Sequence, residues 1–199
     1  MSADPWPADV VLTSPHVVLR PLAASDADGL ARAAADGESS ALWFTSAPAP
    51  AGVPDEITRR LALRAAGSML PFTVLAAGEL AGMTTYMNID APNRRLEIGS
   101  TWYAKSVRRT AVNTACKRLL LAHAFETLGC IAVEFRTHFF NAASRRAIER
   151  LGAKLDGVLR NHSVGRDGAL RDTCVYSIIA AEWPTVRRHL SWLLERPRD

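Results

Sequence analysis

Two adjacent arginines stand where an anion could be held. The stretch Ser106-Val107-Arg108-Arg109-Thr110-Ala111-Val112-Asn113 follows a run with strand character, Leu96 to Tyr103. It precedes a long apolar run, Val112 to Leu128, that Gly129 closes. A strand that feeds a turn and then a helix leaves the first N–H groups of the helix without intrahelical partners. The positive end of the helix dipole lies at the same place. Such a terminus suits phosphate or carboxylate groups, and the guanidinium groups of Arg108 and Arg109 add two fixed positive charges. The alternative is a pair of solvated arginines on a loop.

The elements that must position this turn follow from periodicity and from punctuating residues. His16 to Leu22 reads as a first strand, stopped by Pro21, and Ser25 or Asp26 can cap a helix that runs to about Ala35. Asp36 to Gly52 is irregular, broken by Pro48, Pro50 and Gly52, with an apolar cluster at Leu42-Trp43-Phe44. A second helix covers Glu56 to Ala66. Pro71 to Ala77 and Leu80 to Ile89 form a hairpin joined at Gly78-Glu79. The turn Asp90 to Asn93 then leads to the strand that holds Glu97, so three strands meander before the central turn. The long helix is apolar around most of its circumference, so other elements must cover it.

Ile131 to His138 alternates with period two, the mark of a strand with one apolar face. Asn141 to Leu151 is a short helix ended by Gly152. Leu155 to Asn161 and Thr173 to Ile179 are two more strands about the turn Gly165 to Gly168. A last helix, Glu182 to Leu194, carries Pro184 in its first turn, where a missing N–H is harmless. This order is α+β, read as one domain over residues 1–199 with residues 1–14 as a loose arm.

Composition narrows the function. At 199 residues, 48% hydrophobic and 22% charged, the chain can bury a core. The formal charge is +4, yet no Lys/Arg run exceeds two residues, and neither zinc-ligand spacing nor an RNA-binding signature is present, so a nucleic-acid partner is not expected. Cys116, Cys130 and Cys174 are odd in number and unrelated in spacing, as buried reduced thiols would be. Met1 to Asp9 does not read as a signal peptide, and no apolar run is long enough to span a membrane. The expectation is a cytoplasmic protein with no membrane partner.

The order of elements and several words of sequence resemble the GNAT N-acetyltransferases, in particular their RimJ/RimL-type branch. The words are Leu96-Glu97-Ile98-Gly99-Ser100-Thr101-Trp102-Tyr103, Asn113-Thr114 with Lys117, His123-Ala124-Phe125-Glu126, and above all the segment from Asn141 to Ala153. Gly157 to Arg160, Arg171-Asp172-Thr173, Tyr176-Ser177 and Glu182-Trp183-Pro184 complete the set. The resemblance implies a twisted mixed sheet of six or seven strands with four or five helices. Strands 96–103 and 131–138 would be parallel neighbours that part in a V, with acetyl-CoA as co-substrate. In the family the central turn is the acyl-CoA pyrophosphate loop, Gln/Arg-x-x-Gly-x-Gly/Ala. Arg108 fits its first position, and Ala111 and Asn113 stand where small residues usually do. Ala111 departs from the pattern, which implies weaker or shifted CoA binding. The phosphates would lie over the backbone of Arg109, Thr110, Ala111, Val112, Asn113 and Thr114, with Arg108 and Arg109 at their edge. Trp102 and Tyr103 would offer backbone groups to the pantetheine arm, and Asn141 its side-chain amide; the other reading of Asn141 is an ordinary helix cap, and one side chain can do both.

Acetyl transfer to an amine needs a neutral amine, a polarised thioester carbonyl and support for the departing thiolate. Glu97 is the favoured base; the alternative is a solvent-facing strand residue beside Arg94 and Arg95. Many relatives protonate the thiolate with a Tyr where this chain has Ile148. Ser144 could hydrogen-bond the sulfur instead, or be an ordinary first-turn helix residue. His138 and His162 read as surface residues with a proton-shuttle alternative, and His123 as a core residue. No metal constellation is visible. By resemblance the acceptor is the α-amine of a protein N-terminus. The alternatives are a small-molecule amine, with an acetyl or succinyl donor, and a CoA-binding domain without turnover. The oligomeric state stays open, a homodimer included.

Overall fold

The computed structural model describes residues 6–37, 41–165 and 167–196. In these residues eight strands form one mixed sheet: β1 (Leu12–Thr13), β2 (Val18–Pro21), β3 (Met69–Ala76), β4 (Glu79–Asp90), β5 (Arg95–Tyr103), β6 (Ala132–His138), β7 (Lys154–Val164) and β8 (Leu170–Ile179). Their spatial order is β1-β2-β3-β4-β5-β6-β8-β7, and the β5–β6 pair alone is parallel. Among the described residues five α-helices accompany them: α1 (Ala27–Ala35), α2 (Val53–Ala65), α3 (Val112–Ala122), α4 (Ala142–Glu149) and α5 (Trp183–Glu195). The strand beyond the expected six or seven is β1, which lies in the segment read as a loose arm. Residues 6–14 of that segment are tied down: Leu12 pairs with Leu19, and Trp6 packs on the core. Residues 1–5 lie outside the described residues.

Local chemistry explains most boundaries. The β3–β4 turn is Ala77-Gly78, one residue earlier than expected, and both residues have positive φ, 51° and 84°. That is the geometry of a two-residue turn whose twist matches the flanking strands. α3 runs on through one π-type turn, His123–Thr127, and Gly129 (φ 65°) ends it. Alternation then divides the sheet into two faces. Leu96, Ile98, Val133, Phe135, Tyr176 and Ile178 meet α3 and α5 on one face. Met83 and Trp102 meet α1 and α2 on the other.

Leu96 and Trp102 are both at even positions of one strand yet face opposite sides. A bulge accounts for it. From Met83↔Trp102 to Thr85↔Gly99, β4 advances two residues while β5 advances three. The extra residue, Ser100, has φ 46°, and one inserted residue re-aims every side chain beyond it.

The parallel ladder is short. It joins Arg95 to Ala132, Leu96 to Val133 and Glu97 to Glu134, and then stops. β5 stays paired with β4 as far as Tyr103, and β6 with β8 as far as His138. Each strand therefore keeps its outer ladder and loses its inner one, so the two part beyond Glu97. The facing backbone edges of residues 98–103 and 135–138 no longer pair with each other, which is the V that the resemblance implied.

Candidate active site

The V opens into a cleft of about 710 Å³. At one end stands the turn before α3. Its left-handed residue is Arg109 (φ 60°), whereas Ala111 has φ −65° and ψ −22°, ordinary helical geometry. The conformational reason for glycine at that position is therefore absent, and the methyl group adds bulk without backbone strain. The Thr110 hydroxyl donates to the Val107 carbonyl at 2.6 Å and accepts from the Val112 N–H at 3.3 Å. The next N–H groups, of Asn113 and Thr114, lie in the first turn of α3, where no intrahelical acceptor exists. The side chains of Val112 and Thr114 are buried, and the Thr114 hydroxyl accepts from Arg150 at 2.9 Å, so these two offer backbone only. Arg108 bends back: its Nε and Nη2 donate to the Tyr103 carbonyl at 3.1 and 2.9 Å, which ties the turn to the end of β5. Arg109 is exposed at the cleft edge.

The start of α4 forms the opposite wall. Asn141 Oδ1 accepts from the Ser144 N–H at 3.0 Å, a helix cap that leaves the amide Nδ2 for the cleft that both residues line. Ile148 is 7% exposed and belongs to the core. No tyrosine replaces it: the Tyr176 hydroxyl donates to Glu149 and accepts from Arg145, and the Tyr103 hydroxyl is buried beside the Cys116 thiol. Ser144 is the hydroxyl of α4 that faces the cleft.

Because Leu96 and Ile98 face α3, Glu97 faces the other way, together with Glu134, Arg136 and His138 of β6. It is 5% exposed, which removes the solvent-facing reading. Its Oε2 accepts from Asn88 Nδ2 at 2.7 Å and lies 3.6 Å from Arg136 Nε. Burial raises its pKa above the ordinary carboxylate value, against the opposing pull of Asn88 and Arg136. Glu97 does not line the cleft itself. It lies in an adjoining hollow of about 160 Å³ that shares Arg136 with the cleft.

His138, read from sequence as a surface residue, is 5% exposed and lines the cleft. Its Nδ1 accepts from the Phe140 N–H at 3.1 Å, so the neutral ring carries its proton on Nε2. Burial lowers its pKa, and its ring stands edge-on to Trp43 at 4.9 Å. His162 is exposed on β7, 3.1 Å from Thr173 Oγ1, and does not line the cleft. His123 is buried beside the Tyr86 hydroxyl, as a core residue.

Two buried cations were not among the expected site residues, although Lys117 stood in the words that carry the resemblance. Lys117, 6% exposed, donates to Thr101 Oγ1 at 2.8 Å and Thr84 Oγ1 at 3.2 Å, and burial pulls its pKa down to about 8. Arg60, 2% exposed, donates to Glu56 at 2.7 Å, to Thr85 Oγ1 at 2.7 Å and to the Ser100 carbonyl at 2.9 Å, so it clamps the β5 bulge. Both line the cleft, as do Arg108, Arg109, Arg136, Arg146 and Arg171, whereas no Asp or Glu among the described residues does. Among the described residues, no group of three or more His, Cys, Asp or Glu could hold a metal ion, and no helix is long and apolar enough to cross a membrane.

Residues 16–154 match the family model described as an acetyltransferase (GNAT) domain. Over 110 residues the chain is 34% identical to a Bacillus subtilis (strain 168) protein provisionally named ribosomal N-acetyltransferase YdaF; the match covers 55% of this chain and 59% of that protein. The chain thus spans less than two thirds of that relative. A GCN5-related N-acetyltransferase from Brucella melitensis superposes with a TM-score of 0.85 at 29% identity, over 97% of this chain and 89% of its own. Mycobacterium smegmatis RimJ, in complex with CoA-disulfide, superposes with a TM-score of 0.75 at 27% identity, over 93% of each chain. With the match over residues 16–154 and the splayed parallel pair in place, the chain belongs to the GNAT acetyltransferase family, in its RimJ/RimL-like branch.

Proposed function

We propose that the protein, as a single domain, moves an acetyl group from acetyl-CoA to the α-amine of a protein N-terminus. The observation that carries this reading is the early end of the β5–β6 ladder at Glu97. It leaves two facing backbone edges that lead to the N-terminus of α3, a shape that fits an extended amide arm ending in phosphates. The ribosomal acceptor in the name of YdaF supports the choice of a protein amine. The three buried, unpaired thiols support a reducing, cytoplasmic setting.

The Asn113 and Thr114 N–H groups and Arg109 would hold the phosphates, and the edge of residues 98–103 with Asn141 Nδ2 the pantetheine arm. When bound, acetyl-CoA supplies an acyl group already activated as a thioester. The acceptor enters from the α1/α2 face, where Glu97, Arg136 and His138 stand. Glu97 accepts the amine proton through a water molecule beside Arg136, since its carboxylate does not reach the cleft. Ser144 Oγ donates to the departing sulfur. His138 serves as an Nε2 donor and not as a base, because Phe140 occupies its other nitrogen.

The test pairs acetyl-CoA with two peptides that differ only in a free or a blocked N-terminal amine. Free thiol should appear in step with a one-acetyl mass gain on the free peptide alone. Thiol release with small amines and with no peptide would transfer the reading to a small-molecule enzyme. Calorimetric CoA binding without thiol release from any amine would leave a CoA-binding domain.

A further inference from the structure

The seven cationic side chains of the cleft sort into three groups. Arg108 and Arg109, in the turn before α3, stand at the helix terminus suited to phosphates, and Arg146 faces the cleft from the middle of α4. Arg60 and Lys117 are buried and bonded within the protein. Arg136 and Arg171 belong to neither group. Register and alternation place them on one sheet face with His138, since His138 pairs with Thr173 and Arg136 with Val175.

Arg136 is already matched, by Glu134 at 2.9 Å and Glu97 at 3.6 Å. Arg171 is not. Its Nε donates to Thr173 Oγ1 at 3.2 Å, and it makes no ion pair among the described residues. Its neighbour Asp172 is held by Arg160 Nε at 2.5 Å and the Asn161 N–H at 2.8 Å, and though it does not line the cleft its charge also reaches His138. Arg171 lines the cleft from the sheet face that carries His138, and beneath the larger effect of burial its charge is felt by both Glu97 and His138. A partly buried guanidinium whose terminal nitrogens have no partner among the described residues is available to an anion that enters the cleft. The charges of CoA itself sit on its phosphates, which the turn before α3 would hold.

We propose that Arg171, with the Nε2–H of His138, receives a carboxylate carried by a reactant, either on the acyl chain of the donor or beside the amine of the acceptor. The proposal rests on the acyl-transfer reading and narrows its reactants. The guanidinium would take the carboxylate through its two terminal nitrogens, a paired geometry that Arg supports and Lys does not.

Calorimetry decides it without turnover. The donor arm compares succinyl-CoA with acetyl-CoA. The acceptor arm, with CoA present, compares peptides that begin with Asp or Asn, and L-phenylalanine with its amide. One arm should favour the carboxylate probe by roughly ten- to hundredfold, the weight of a charged hydrogen-bonded contact. In Arg171→Gln the ratio between charged and neutral probes should fall toward one, and Arg171→Lys should recover only part of it. Equal affinities in both arms for the unaltered protein would overturn the proposal, as would a preference that Arg171→Gln keeps. If thiol release fails with every pair while the carboxylate preference is present, acetyl transfer fails as the function and the anion site stands.

Discussion

Glu97 carries the chemistry proposed for this protein and also a cost, and both come from its burial. Its pKa is raised, so the folded state holds the proton more tightly than the unfolded chain does. Ionising it therefore costs stability as the pH climbs above the ordinary value of 4.5, and the cost is absent below that value. Glu97→Gln keeps an oxygen for Asn88 and carries no charge. Turnover should fall by roughly 10²–10⁴, the weight of a positioned base. At pH 7 the variant should melt no lower than the parent, with its margin shrinking as the pH falls toward 4.5. Thermal melting across pH beside thiol release checks both, and a turnover loss that merely follows a lower melting temperature would make the carboxylate structural. Lys117 has the mirror-image linkage. Burial lowers its pKa to about 8 from 10.5, so the folded state holds that proton less tightly, and its contribution improves as the pH rises between those values. Lys117→Met should gain stability over the parent at pH 7 and lose that gain by pH 10.5.

At the scale of elements, the β5 bulge shapes the site. Ser100 switches which residues of β5 face α1 and α2, and Arg60, reaching from α2, holds the bulge through its carbonyl. Removing Arg60 leaves Thr85 and the Ser100 carbonyl without their donor, while Glu56 keeps Arg59 at 2.8 Å. Arg60→Met should cost about 3 kcal/mol, the low end for a broken buried ion pair. Urea denaturation should show a lower midpoint with the slope unchanged; an unchanged midpoint would mean that the bulge holds itself. The turn before α3 is steadied in another way, by Arg108 on the Tyr103 carbonyl and Thr110 on its own loop. It needs no glycine at position 111, because the strained residue is Arg109.

Over the whole molecule, the sheet separates two approaches to one opening. α3 and α4 form the side suited to a nucleotide-bearing donor, and α1, α2 and the polar strip of β6 and β8 form the side suited to an acceptor. If CoA lies in the V, its amides occupy the inner edges that β5 and β6 leave unpaired. Amide exchange at residues 98–103, 112–114 and 135–138 should then slow by roughly ten- to hundredfold with CoA at 10 to 100 times its Kd. Hydrogen-exchange mass spectrometry reads this directly. Slowing confined to residues 112–114 would place only the phosphates and reject the arm in the V.

The sequence by itself determined the order of elements, the turn before α3, the alternation of residues 131–138 and the cap at Asn141. Each is written in spacing within one element or at its edge, where period, capping chemistry and Gly or Pro act locally. Even the polar strip of Glu134, Arg136 and His138 was present in that alternation. Only the tertiary structure decided that His138 lines the cleft and His162 does not, since that depends on which strand end meets the opening. It also decided that Glu97 is buried against Asn88 and Arg136, that Ser100 reverses the facing of β5, and that Leu12 and Thr13 join the sheet. Those outcomes are set by register and packing between residues far apart in the chain. No local period encodes them, because a one-residue slip or one inserted residue turns every following side chain to the other face.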